Sequence, residues 1–147
     1  MKAAIPEALA PLVTFYETLT EDALTGLDRI YTSDARFKDP FNEVTGTAAI
    51  AAIFRHMYAT TLDPRFVVTS AALTPDAREG FLLWEFHFRI RRHQPEVERL
   101  IRGATHVHLA PDGRVAMHRD YWDAAEELYE KLPVIGALMR FLRRRMA

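Results

Sequence analysis

The sequence contains no cysteine, which excludes disulfides, thiolate zinc sites and a cysteine nucleophile together. Any metal would have to be held by histidine and carboxylate alone. No run approaches the roughly 20 apolar residues that a membrane-spanning helix needs, and no glycine-rich loop of the nucleotide-binding kind is present. Neither sign of charge dominates, since 19 Lys and Arg stand against 20 Asp and Glu. Mixed along the chain, these charges form no basic stripe, so no nucleic-acid partner is expected. Internal repeats, low-complexity tracts and linkers are also missing, which makes residues 1–147 a single expected domain. The opening MKAAIPEALAPLVTFYETL, broken by Pro6, Glu7 and Pro11, does not read as a signal peptide, and a cytoplasmic location is the expectation.

What is present is an ordinary globular composition, 49% apolar and 27% charged over 147 residues, enough to bury a continuous core. Leu9, Leu12, Val13, Phe15, Tyr16 and Leu19 recur at spacings of three and four and predict a first helix over Pro6 to Leu19. Thr20, Glu21 and Asp22 open a second, expected to run through Leu24, Leu27, Ile30 and Tyr31 and to end at Ser33 and Asp34. Ala35 to Asp39 reads as a short extended piece, because Pro40 disfavours helix at the residue before it. After Gly46 and Thr47, AAIAAIFRHMYATTL predicts a third helix with Ile50, Ile53, Phe54, Met57 and Tyr58 on its buried side.

Beyond Asp63 and Pro64 the periodicity changes to alternation. Four strands are predicted, near Arg65 to Thr74, Gly80 to Arg92, Arg99 to Ala110 and Arg114 to Trp122, with connections short enough for antiparallel neighbours. DAAEELYEKL then returns to helix, and PVIGALMRFLRRR closes the chain with arginines in its last turn, so residues 124–147 form a helical extension. The order of elements is that of an α+β domain.

Alternation assigns the faces. Trp84, Phe86, Phe88 and Ile90 share the covered face of one strand, and Ile101, Gly103, Thr105, Val107 and Leu109 that of the next. The last strand is ambiguous, with polar and apolar residues on both sides. If His118, Asp120 and Trp122 point inward, an imidazole and a carboxylate stand on a wall of aromatic rings, which is the composition of a binding site for a small hydrophobic molecule.

The segment YTSDARFKDPFNEVTGTAAIAAIF, the strand series and the ending DGRVAMHRDYWD together resemble the nuclear transport factor 2-like superfamily, which includes SnoaL-like polyketide cyclases and ketosteroid isomerases. The resemblance implies a cone of N-terminal helices on a strongly bent, mainly antiparallel sheet, with a pocket inside and frequent dimerisation. In ketosteroid isomerases the Asp of the Asp-Pro step is the general base, a position held here by Asp39. Their oxyanion-hole tyrosine falls at or beside Phe15, with Tyr16 one residue away, and their protonated aspartic acid falls at Thr105. SnoaL-like cyclases place an acid-base Asp late in the last strand, where Asp120 stands. Limonene epoxide hydrolases use an Asp-Arg-Asp set; Arg119 neighbours Asp120 but faces the other way.

The resemblance and the residues together suggest a cofactor-independent isomerase, cyclase or hydratase acting on a hydrophobic carbonyl compound. Asp120, Asp39 and His118 would be catalytic, and Tyr16, Phe54, Trp84, Phe86, Phe88, Thr105, Val107 and Trp122 would line the pocket. The alternative is a non-catalytic ligand-binding or interaction module. In that account Asp39 caps the loop before the third helix and Asp120 pairs with an arginine such as Arg119 or Arg55. His106 and His108 share a strand face that His87 could join, a geometry open to a metal. That face is expected to be the outer side, with no carboxylate firmly placed beside it, so a homodimer interface is the preferred reading and no metal or other cofactor is expected. The last helix, with Arg140, Arg143, Arg144 and Arg145, reads first as a docked helix and second as a lid or a contact for an anionic membrane.

Overall fold

A computed structural model describes residues 3–128 and 133–146. A 3₁₀ turn, Glu7–Leu9, leads into α1 (Ala10–Glu17), whose Leu12, Val13 and Tyr16 are buried as the three-and-four spacing predicts. The second predicted helix is a 3₁₀ stretch, Asp22–Arg29, with non-helical backbone at Gly26. It stops before Tyr31, which opens strand β1 (Tyr31–Lys38) instead of closing a helix. The physical reason is tertiary: Val115 N–H donates to Ile30 C=O at 2.8 Å and Tyr31 lies opposite Val115, so pairing with the last strand captures the chain. A short β2 (Glu43–Thr45), not expected from the sequence, pairs antiparallel with β1.

Helix α2 (Thr47–Thr60) starts after Gly46, whose φ of 94° is a conformation suited to glycine. Its N–H donates to Ala35 C=O at 2.8 Å, which pins the helix start to β1. Ile50, Ala51 and Phe54 are buried. The meander follows as β3 (Thr61–Leu73), β4 (Glu79–Ile90), β5 (Arg99–Leu109) and β6 (Val115–Tyr121), close to the four predicted strands. One sheet of six strands results, in the order β2-β1-β6-β5-β4-β3, antiparallel except where β1 runs parallel to β6.

The sheet curls without closing. Register shifts in β3 between Leu62 and Arg65 and between Val68 and Ser70 mark where an irregularity bends it. At the second, the Val68 N–H donates to Glu17 Oε1 at 2.9 Å, which ties α1 across the bend. The concave side is filled by one core that includes Leu9, Leu27, Tyr31, Ile50, Val107 and Val115.

Of the predicted DAAEELYEKL helix, α3 (Ala124–Glu127) is observed, and residues 129–132 lie outside the described residues. The final helix, α4 (Pro133–Met146), leaves Ile135, Leu138, Phe141, Leu142 and Met146 exposed. Among the described residues no helix is long and apolar enough to cross a membrane.

Candidate active site

Between α1, α2 and the concave side of the sheet lies a cleft of about 420 Å³. Its wall is aromatic: Tyr16 from α1, Phe54 from α2, and Trp84, Phe86 and Phe88 from alternate positions of β4, as the period of a strand requires. Phe66 stacks on Phe86 at 4.5 Å between centroids, and Phe86 stacks on Phe88 at 4.7 Å. Trp122 closes the rim with Phe41, edge to face at 5.5 Å. Phe37, Phe41 and Phe66 belong to this wall although the sequence pattern did not single them out. Val107, expected in the lining, is fully buried in the core and outside it. His56 reaches the mouth, exposed.

At its inner end the cleft narrows to a pit of about 20 Å³ bounded by Tyr16, Phe66, Val68, Leu82, Trp84, Thr105 and Asp120. That is room for one water, with polar groups to hold it. Asp120 stands there because β6 pairs with β5 so that Asp120 is opposite Thr105 and His118 opposite Val107. The ambiguity of the last strand is resolved by a register shift at the other end of this pair, between His108 and Leu109. It lets Val115 and His118, three residues apart, both face the core.

The carboxylate of Asp120 ends a chain of buried hydrogen bonds. Thr105 Oγ1 donates to Asp120 Oδ1 at 2.5 Å and itself accepts from Trp84 Nε1 at 2.8 Å. His118 Nε2 lies 2.8 Å from the same Oδ1. On the other side of that ring, Nδ1 is 2.9 Å from the Tyr31 hydroxyl, which is 2.8 Å from the Tyr16 hydroxyl. Among the described residues no donor reaches Oδ2, and Asp120 lines the cleft.

Burial pushes the Tyr16 phenol well above its ordinary range, with Tyr31 and the charge of Asp120 adding to it. Burial likewise raises Tyr31, a shift that the hydrogen bond from Tyr16 offsets in part. Both hydroxyls therefore stay protonated. With Nε2–H donating to Asp120, the neutral His118 accepts at Nδ1 from Tyr31, which accepts from Tyr16. An imidazolium reverses the chain: Nδ1–H donates to Tyr31 and Tyr31 to Tyr16. His118 is 1% exposed, stacked on Phe37 at 4.7 Å, so it touches Asp120 and not the cleft.

Asp39 lines the mouth of the same cleft but is occupied differently. Its Oδ1 accepts from the backbone N–H groups of Phe41 and Asn42, each at 2.7 Å, and the Asn42 amide reaches both carboxylate oxygens at 3.0 Å. This is the side chain of a turn, stabilising the loop between β1 and β2. Arg119 faces away from the cleft, its guanidinium 4.6 Å from the Tyr121 ring centre, and no arginine pairs with Asp120 among the described residues.

The model of the SnoaL-like domain family matches residues 12–118. The chain belongs to that family. Solved structures agree on the fold. A protein from Catenulispora acidiphila with a ketosteroid isomerase-like fold, in complex with trimethylamine, is 15% identical, with 85% of this chain and 92% of that one covered at a TM-score of 0.70. A candidate SnoaL-like polyketide cyclase from Shewanella putrefaciens is 20% identical, with 85% and 98% covered at a TM-score of 0.68. An LEH-like epoxide hydrolase of M. tuberculosis is 16% identical, with 82% and 86% covered at 0.66. No curated protein matches. At such identities the neighbours establish the bent-sheet cone and carry no activity across to this member of the SnoaL-like family.

Proposed function

We propose that this SnoaL-like protein binds a small hydrophobic carbonyl compound in the aromatic cleft and that Asp120 moves a proton on it, without a cofactor. The observation that carries this is the position of Asp120, which lines an apolar cleft with Oδ1 held by two donors and, among the described residues, no donor on Oδ2. A base that removes a proton α to a carbonyl needs a fixed carboxylate within about 3 Å of the carbon. Thr105 and His118 supply the fixing. His118, expected to assist on the substrate, acts instead through Asp120, since both ring nitrogens are spent inside the protein.

The deep donors are committed likewise, Trp84 to Thr105 and the phenols to one another and His118. An enolate forming there would receive little direct stabilisation from an oxyanion hole. This favours a carbon acid that delocalises its own charge, such as a conjugated or β-dicarbonyl compound, and thus the isomerase or cyclase end of the chemistry. Protonated by the substrate, Asp120 returns the proton at a second carbon or oxygen, which balances the reaction without an outside acid.

Native mass spectrometry of the purified protein, with extraction of whatever co-purifies, supplies the compound to test. For that compound, Asp120→Asn lowers turnover by roughly 10²–10⁴-fold and leaves its dissociation constant nearly unchanged. Retention of the compound with no conversion by the wild type would assign the cleft to a binding module instead, a reading that the occupied Asp39 also fits.

The outer face of the sheet supports a further part of the proposal, a homodimer. Phe81, Leu83 and Tyr121 are 45%, 54% and 49% exposed there, a grouping that a second copy would cover.

A further inference from the structure

A second grouping of histidine and carboxylate lies on the outer face of β4 and β5, and it shares no residue with the cleft. Glu79 opens β4 and faces His108 across the ladder; His106 sits two residues earlier on β5, on the same side of the sheet. Both Nε2 atoms converge on one oxygen, Glu79 Oε1, at 2.9 Å from His106 and 2.8 Å from His108. The ligand atoms of the three residues all lie within 4.8 Å of one another.

The rings are held in this attitude by their neighbours. Phe81 stacks flat on His106, 4.8 Å between centroids and 4° between planes. The two imidazoles meet edge to face at 4.8 Å and 77°, with both Nε2 atoms at Glu79 Oε1, and each Nε2 gives up its proton to become a ligand. Two nitrogens and one carboxylate oxygen are a donor set for a borderline divalent ion, and three protein ligands leave a fourth position for water. The cation nearest in register, Arg119 opposite His106, has its guanidinium over the Tyr121 ring.

We propose that Glu79, His106 and His108 bind a divalent transition-metal ion, zinc first among them. The ion replaces the two hydrogen bonds to Glu79 and clamps the start of β4 to the end of β5. Glu79 is the first residue of β4 and His108 the last but one of β5, so the ion sits at the end of the strand pair, with Leu83 farther along the same face.

His87 provides an internal contrast. Its Nε2 points to Glu85 at 3.1 Å and its Nδ1 to Glu98 at 3.2 Å, on opposite sides of the ring, and Glu98 is also held by Arg65 at 2.9 Å. Three potential ligands are near, yet no single point is shared.

The test is a calorimetric titration of the full chain, free of any histidine tag, with zinc chloride near neutral pH, with the bound metal counted by elemental analysis after dialysis. One zinc per chain is expected. His108→Ala and Glu79→Gln each weaken it by at least about 100-fold, the upper end of what losing even an outer-shell partner costs. His87→Ala leaves it unchanged, and circular dichroism confirms that each variant is folded. The proposal is overturned if the wild type binds no more zinc than the His106→Ala/His108→Ala double variant, or if His87→Ala weakens binding as much as His108→Ala does.

Discussion

The two faces of the sheet use the same chemistry to different ends. On the concave side His118 meets Asp120 at 2.8 Å, and on the convex side His108 meets Glu79 at 2.8 Å, so length does not separate the pairs. Burial does: the His118 and Asp120 side chains are 1% and 17% exposed, those of His108 and Glu79 are 49% and 40%. In a dry surrounding an unpaired polar group is costly, so the inner network is extended on both sides of His118 and Asp120 Oδ1, through Thr105 and Trp84 at one end and two tyrosines at the other. On the wet face water can replace either partner, and the pair is free to exchange its hydrogen bonds for another ligand. The difference teaches that a histidine and a carboxylate in contact define a held proton-transfer group in one setting and an accessible ligand set in the other.

The strongest way to break the comparison is alkali. Tyr16 and Tyr31 hold their protons above the ordinary phenol range because they are buried, whereas the unfolded chain releases them near pH 10. Above that pH the unfolded state binds fewer protons, so this contribution to stability, complete below about pH 10, falls as pH rises. In a titration followed by phenolate absorbance, Tyr16 and Tyr31, two of the five tyrosines, ionise only as the circular dichroism of the fold is lost. Ionisation of all five in the folded protein would show the inner network to be wet. Next in size is His118→Ala. It takes one partner each from the Asp120 carboxylate, which keeps Thr105, and the Tyr31 hydroxyl, which keeps Tyr16. It also empties a buried site, for a loss of about 3 kcal/mol in urea unfolding. His108→Ala, measured alongside, costs below about 1 kcal/mol. Equal losses would mean that burial is not what distinguishes the faces.

Much of the inner face was legible from sequence because one period generated it. Trp84, Phe86 and Phe88 alternate without interruption, and their strand keeps a continuous register with β5, so the pattern passes directly into the wall of the cleft. The match to ketosteroid isomerases pointed to Asp39, and the structure gives that side chain to its own loop. Its use there is local, a hydrogen bond to the residues two and three positions on, and such a contact leaves no mark in hydrophobic periodicity. Tyr31 was hidden for the opposite reason. Its place depends on β6, more than eighty residues away in sequence, while Leu24, Leu27 and Ile30 locally favour a helical reading. Likewise the carboxylate beside His106 and His108 is supplied by the facing strand, and only the register of β4 against β5 identifies it as Glu79.

Gly103 sharpens the comparison from within the inner face. It lies opposite Trp84, and the indole covers it so closely that an added Cβ would come to 2.3 Å from the ring carbon Cζ2 and 2.4 Å from Cη2. The ring cannot simply withdraw, because its Nε1–H is committed to Thr105, and Phe66 stands edge-on against it at 6.0 Å. Gly103→Ala therefore forces the indole off its partner, at a cost of about 1–3 kcal/mol for overpacking. The consequence reaches the carboxylate: Thr105 loses the donor that orients its hydroxyl, and Asp120 loses part of what holds it. The variant should unfold at lower urea and show altered Trp84 fluorescence. Turnover should also fall, though less than in Asp120→Asn, with zinc binding on the outer face unchanged. If Trp84 emission and turnover both stay at wild-type values, the indole is not a support of the site, and the inner network ends at Thr105.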